Sequence, residues 1–161
     1  MIIVIMGVSG SGKSTLGRAL AARLGWDFIE GDDHHPAANI ARMSAGRPLT
    51  EADRLPWLQR LNEILLAQGA TGTILACSAL KRSHRHLLAD GIPDIRFAYL
   101  CGDPEMIRER IASRRGHFMP AELLDSQVAA LEPPEDAVLV PIHLTTPEQA
   151  ALILDTLGLA P

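Results

Sequence analysis

The sequence predicts a three-layer α/β sandwich, with about five parallel strands in one sheet and helices on both faces. Two observations carry that expectation. Apolar runs rich in β-branched residues alternate with helical patterns from end to end, and parallel neighbours need crossover connections of the kind helices supply. A chain of 161 residues also fits one domain and buries roughly 70% of its unfolded surface, enough for a real core. One unit spanning 1–161 is expected, with no repeat, low-complexity tract or linker.

The elements follow in order. Ile2–Met6 reads as a buried strand, and the helix after it runs from Lys13 to about residue 24, with Leu16, Leu20 and Leu24 on one face. A second strand is expected at 26–29. A polar segment and two helical stretches come next, about 36–45 and 51–68. In the longer stretch Leu55, Leu58, Leu61 and Leu65 recur at helical spacing. Strands at 73–77, 95–100 and 137–142 are each followed by a helix, near 81–89, 104–112 and 147–157. A further helix is expected near 121–131, after a polar stretch at 113–119.

Composition excludes several classes. Hydrophobic residues make up 47% and charged residues 21%, which argues against disorder. A net charge of −4 leaves no basic field to hold nucleic acid. Cys77 and Cys101 each end an apolar run and read as buried thiols in a reducing compartment. The start MIIVIMG lacks the basic flank and length of a signal segment, and no stretch approaches 18 apolar residues. A cytoplasmic protein with no membrane partner is expected.

The first strand runs straight into GVSGSGKS, residues 7–14, which matches G-x-x-x-x-G-K-[ST] and opens a helix. Gly7, Gly10 and Gly12 let the backbone approach phosphates without a Cβ in the way. Successive N–H groups then form a concave nest, backed by the positive end of the helix. Lys13 is expected to reach the β/γ oxygens of ATP, and Ser14 to offer its hydroxyl to Mg²⁺. Ser9, Ser11 and Thr15 complete the expected nucleotide-binding set. Strand, loop and helix together specify a P-loop NTPase fold.

Glu30-Gly31-Asp32-Asp33-His34-His35-Pro36 follows the second strand, at the edge of a parallel sheet where ligands gather. A carboxylate there can hold Mg²⁺ or take the proton of an acceptor hydroxyl. Asp32 is the first choice for both duties, with Glu30 or Asp33 second, because the strand ending Leu75-Ala76-Cys77-Ser78 offers no carboxylate.

Phosphoryl transfer builds negative charge that guanidinium groups stabilise. Arg108, Arg110, Arg114 and Arg115 cluster near a candidate lid at 113–120, and Arg110 and Arg114 share a helix face if the helix continues. They are the catalytic candidates, whereas Arg108 and Arg115 fit a solvated helix end. A second basic set, Arg54, Lys81, Arg82 and Arg85, suits an anionic acceptor such as a sugar acid. His84 and His86 are expected to cover a helix surface.

Beyond the phosphate loop the chain carries EGDDHHPAANIARMSAGRPLTEADRLPWL, CSALKRSHR and RRGHFMPAELLDSQVAALEPP in that order. Together these segments resemble the gluconokinase family, relatives of the shikimate kinases among small P-loop kinases, over nearly the whole chain. The resemblance implies transfer of the ATP γ-phosphate to the 6-hydroxyl of D-gluconate, a strand order of 2-3-1-4-5, and a homodimer. Carried onto this chain, it implies that Asp32 meets the reactive hydroxyl and that Arg54 and Lys81 face the substrate. Arg110 and Arg114 would belong to the lid, and His35 and Asn39 would shape the pocket. One departure stands out: where the family commonly shows Tyr-Arg-Asp, this chain has His84-Arg85-His86, so Arg85 keeps its place among the substrate candidates without its acidic neighbour. The rival readings are the same fold acting on shikimate or a nucleoside monophosphate, a slow nucleotide switch, and a catalytically dead interaction protein.

Overall fold

The computed structural model describes residues 1–69, 71–113 and 121–159. Its elements run β1 (Ile2–Met6), α1 (Lys13–Leu24), β2 (Asp27–Glu30), a 3₁₀ turn (Gly31–His34), α2 (Ala37–Ser44), α3 (Glu51–Leu66) and β3 (Thr73–Ala76). There follow α4 (Arg82–Ala89), β4 (Ile95–Cys101), α5 (Pro104–Ser113), α6 (Ala121–Ala130), β5 (Val138–Pro141) and α7 (Thr146–Leu157). The five strands form one sheet ordered β2-β3-β1-β4-β5, and every pairing is parallel. The candidate lid falls on residues 114–120, which lie outside the described residues, apart from Ser113 at the end of α5.

The alternation of side chains along β1 builds the three layers. Ile3 and Ile5 point to one face and pack with Leu16 and Leu20 of α1 and Ile153 and Leu154 of α7. Ile2, Val4 and Met6 point to the other and meet Trp57, Leu58, Leu61 and Leu65 of α3. As the central strand, β1 is paired on both edges and covered on both faces, which is why it reads as an unbroken apolar run.

The register of α3 differs from the leucine pattern. Leu55 is 46% exposed, and the buried stripe is Arg54, Trp57, Leu58, Leu61 and Leu65. A large indole and an arginine displace the leucine because the first turn of α3 faces a polar cavity, whereas only its later turns face the sheet. The thiols also differ from expectation: both are free, but Cys101 is half-buried where Cys77 is fully buried. Among the described residues no helix is long and apolar enough to cross a membrane.

A contrast on one helix checks this register. Leu61→Ala should cost about 2–5 kcal/mol, the range for emptying a buried leucine site. Leu55→Gln should stay within about 0.5 kcal/mol of the parent, as surface changes do. Urea midpoints of the two variants, at unchanged m-value, measure both.

Candidate active site

The phosphate loop turns the chain from β1 into α1 within residues 7–12. Gly10 and Gly12 sit at φ +80° and +103°, a region that side chains disfavour. A Cβ on Gly10 would lie 2.5 Å from Ile111, so α5 packs directly on the loop. Among the described residues a Cβ on Gly12 would meet nothing within 4 Å, so the loop is open to them at the mouth of the helix. The first bond of α1 runs from Leu16 N–H to Gly12 O. The amides of Lys13, Ser14 and Thr15 therefore precede the helical ladder, and no side chain caps them. Ser11 Oγ is buried without a hydrogen-bond partner among the described residues. Uncapped amides, an orphaned hydroxyl and an open mouth suit a phosphate chain, so the loop fits ATP. The half-buried Ser14 hydroxyl lies at the same helix start, as a Mg²⁺ ligand requires.

A cavity of about 180 Å³ lies between this loop and the first turns of α3, lined in part by Ser9, Lys13, Asp32, His35, Arg54 and Trp57. Lys13 Nζ reaches back to donate to Val8 O at 3.0 Å. Of the three acidic residues at the end of β2 and in the turn after it, Asp32 lines the cavity although its side chain is 71% exposed, Glu30 stands 3.7 Å from Arg18, and Asp33 is exposed and outside the lining. The His35 ring beside Asp32 holds its carboxyl below the usual range, with the Lys13 ammonium adding to the effect, and together they outweigh partial burial. Asp32 is thus a carboxylate at neutral pH. Beneath it, burial pushes the Cys77 thiol up to about 12, which keeps it neutral.

Tight contacts hold this wall in place. His35 stacks on Trp57 with ring centroids 4.0 Å apart and planes at 18°, and Trp57 Nε1–H donates to Gly31 O at 2.8 Å. Asn39 is buried behind His35, outside the lining, and its amide nitrogen lies 3.2 Å from His35 Nδ1. The start of α3 is set by a reciprocal cap, in which Asp53 N–H donates to Thr50 Oγ1 and Thr50 N–H donates to Asp53 Oδ2.

Two of the four acceptor-side cations, Arg54 and Lys81, converge on a residue that the sequence did not single out. Glu51 accepts from Arg54 Nη1 at 3.1 Å and lies 3.2 Å from Lys81 Nζ, both at Oε1, while its Oε2 lies 2.9 Å from His84 Nε2. Arg54 lines the cavity, and Lys81 stands behind it at Glu51. His84 is 3% exposed, a correction to the surface role expected of it. Its Nδ1 accepts from Lys81 N–H at 3.3 Å, which leaves the ring proton on Nε2 for Glu51. Burial lowers the pKa of His84 even though Glu51 pulls it the other way, so the ring stays neutral.

Two predicted site residues have other partners. Arg85 does not line the cavity; its Nη1 donates to Ala79 O at 3.1 Å and Leu80 O at 3.3 Å. Ala79 is buried at φ +43°, unfavourable for a residue with a Cβ, and Arg85 fastens the carbonyls of that strained loop. Main-chain oxygens thereby replace the acidic neighbour missing at His86. Arg110 donates to Ile142 O past the end of β5, away from the cavity lining, and Arg114 lies outside the described residues. Arg108 bonds Glu105 and Asp125, in keeping with a solvated helix end.

Gln127 on α6 was not foreseen. Its Oε1 accepts from Ser9 N–H at 2.7 Å, and its Nε2 donates to Ser9 Oγ at 3.0 Å. The two bonds tie α6 to the phosphate loop across the cavity wall. The sequence held the DSQ triplet, but nothing local pairs residue 127 with residue 9.

Glu51 also predicts an acid response. Burial works against its charge, yet the hydrogen bonds of His84 and Lys81, with the Lys81 charge, prevail and bring its pKa to about 2. A carboxyl depressed on folding stabilises the fold above its unfolded pKa of about 4.3, and that support fades as pH falls toward the folded value. The urea midpoint of Glu51→Gln should therefore lie below the parent's at pH 7, and the gap should narrow as both are titrated down from about pH 4.3.

Comparisons with known proteins agree with this geometry. Residues 2–134 match the model of a family described as an AAA domain. A "Probable gluconokinase" from Mus musculus is 42% identical, over 97% of this chain and 97% of its own length. The "Thermosensitive gluconokinase" of Escherichia coli (strain K12) is 51% identical, over 82% of this chain and 72% of its own. A gluconokinase crystal structure from Sinorhizobium meliloti 1021 superposes with a TM-score of 0.90 at 43% identity, covering 97% of this chain and 90% of that one. With a phosphate loop facing a cavity walled by Asp32 and Arg54, and relatives this similar over most of their length, the chain belongs to the gluconokinase family.

Proposed function

We propose that this protein transfers the γ-phosphoryl group of ATP to the 6-hydroxyl of D-gluconate, giving 6-phospho-D-gluconate. The observation that carries the reading is one cavity lined by the phosphate-loop lysine Lys13, the carboxylate Asp32 and the buried cation Arg54. Family membership supplies the acceptor.

The amides from Gly10 to Thr15 hold the phosphates, flanked by Gly7, Ser9 and Ser11, and Lys13 swings from Val8 O to the β/γ oxygens. Ser14 and Asp32 would hold Mg²⁺, which would supply positive charge against the phosphates. Asp32 orients the acceptor hydroxyl and receives its proton. A carboxylate of lowered pKa suffices, because in a loose transition state the attacking oxygen bonds late and need not be deprotonated early. Arg54, with Lys81 behind it, receives the gluconate carboxylate in place of Glu51. His35 and Asn39 shape the wall, and Arg85 acts through the loop at 79–80. Arg110 and Arg114 would serve the lid expected at 113–120. We read residues 1–161 as a single kinase unit, cytoplasmic in keeping with its free thiols, and homodimeric on the family resemblance.

ADP release with Mg·ATP and a panel of gluconate, shikimate, AMP and no acceptor tests the reading. Stimulation by gluconate alone is expected. Stimulation by shikimate or AMP would overturn the substrate, and equal slow release in every tube would overturn the kinase.

Two variants check the roles. Lys13→Ala should lower kcat by about 10²-fold or more, the scale of losing a preorganised donor to developing charge. Arg54→Ala should raise the KM for gluconate by on the order of 10-fold or more while leaving that for ATP nearly unchanged, since a charge-assisted contact contributes about 1.5–3 kcal/mol.

A further inference from the structure

Asn39 and His35 form a buried chain of donors that ends on Asp32. The amide nitrogen of Asn39 donates to Asp53 O at 2.9 Å, which fixes the orientation of the amide. The second hydrogen on that nitrogen faces His35 Nδ1 at 3.2 Å. A donor aimed at Nδ1 requires that atom to be a lone pair, so the ring proton sits on Nε2. Nε2 in turn faces Asp32 Oδ1 at 3.7 Å, longer than a formed hydrogen bond and typical of a site before its acceptor binds. The His35 ring cannot turn freely, because it stacks on Trp57, and Trp57 is itself pinned to Gly31 O.

We propose that Asn39 is a positioning residue for phosphoryl transfer: it locks His35 in the Nε2–H tautomer, and His35 then holds the Asp32 carboxylate toward the acceptor hydroxyl. The inference rests on the reading of Asp32 as the group that meets the acceptor. It goes further in giving His35 and Asn39 a task other than lining a pocket. The lock matters because Asp32 has a rival partner in the Lys13 ammonium across the cavity. Without a donor on its own side, the carboxylate would swing toward Lys13 and occupy the cation meant for the phosphates. Arg54, lining the same cavity from α3, is already engaged by Glu51. From α6 the cavity receives Leu123, Ser126 and Gln127, none of them charged.

The tautomer can be read directly. In the full chain labelled with ¹⁵N-histidine, long-range ¹H–¹⁵N correlation at about pH 8, where ordinary imidazoles are neutral, should show His35 as Nε2–H. Its signals are assigned by their loss in His35→Phe. Asn39→Asp places an acceptor against Nδ1 and should reverse the tautomer. It should also lower kcat by about 10–100-fold, the cost of an ångström-scale misplacement, with the KM for ATP changed less than about threefold. His35→Phe keeps the ring on Trp57 and should show the same kcat loss, and His35→Gln, which restores an N–H donor, should recover part of it. An Nδ1–H tautomer in the parent overturns the proposal, as does equal kcat in the Phe and Gln variants. Should Asn39→Asp fail to fold, the Phe and Gln pair decides alone. Rates are taken with whichever acceptor the parent protein uses, so an error in the gluconate assignment shows in the acceptor panel and not here.

Discussion

The turn from β1 into α1 is the constraint on which the rest of the molecule depends. β1 is buried along its whole length and paired with β3 and β4, so it cannot bend to accommodate a ligand. The reversal therefore has to happen within residues 7–12, and Gly10 and Gly12 supply the positive φ it needs. Reversing so tightly leaves the first amides of α1 without a capping side chain, and Ser11 Oγ unpaired, among the described residues. Each of these is a defect in the free protein. A phosphate chain would repair all of them at once, so the local rules that the loop breaks are the source of its affinity.

Acceptor-side electrostatics obey a second constraint, that a buried cation needs a partner. Arg54 is nearly covered, and an unpaired guanidinium there would be costly. Glu51 provides the pairing and gathers Lys81 and His84 on the same carboxylate. Because Glu51 is itself about half exposed, it can yield its place to an incoming carboxylate and turn toward water. Binding an acid then exchanges one carboxylate for another and does not strip two bare charges of solvent. A neutral sugar offers no such exchange, so the arrangement favours an acidic acceptor.

Sequence reading succeeded where the cause of a structure is local and failed where it is not. The strand–loop–helix at residues 2–24, the helix expected from residue 51 and the alternation of elements are local patterns, and they appear in the structure within a residue or two. Asp32 was legible because a turn after a parallel strand faces the ligand edge whatever its neighbours are. Arg54 was legible as one of the acceptor-side cations, but its partner Glu51 was not, because a carboxylate at a helix start also reads as a cap. His84 was misjudged because its burial depends on Glu51, which lies on another helix 33 residues away. Arg85 was assigned to substrate on its charge, but its task is set by the carbonyls of Ala79 and Leu80, and sequence carries no trace of a carbonyl's direction. Gln127 meets Ser9 across 118 residues, and an uncharged amide in a helix gives no signal by itself.

On the proposed function, the first two turns of α3 place nearly everything that would meet the acceptor. Glu51 holds the cations, Asp53 caps the helix while its main-chain oxygen accepts from Asn39, Arg54 enters the cavity, and Trp57 supports both His35 and the turn that carries Asp32. These four side chains project from one rigid helix start, so their mutual geometry is fixed by where the helix begins. Thr50 and Asp53 define that beginning through their reciprocal hydrogen bonds, and Arg42 of α2 reaches Asp53 at 3.3 Å to anchor it from outside. In-line transfer tolerates errors of only about 0.5 Å, and a helix frayed by one turn would displace the cation clamp and the support of the base together. The cap is therefore a functional element as well as a stabilising one. Removing Thr50 would misplace groups on both sides of the reacting oxygen through a residue that touches neither substrate.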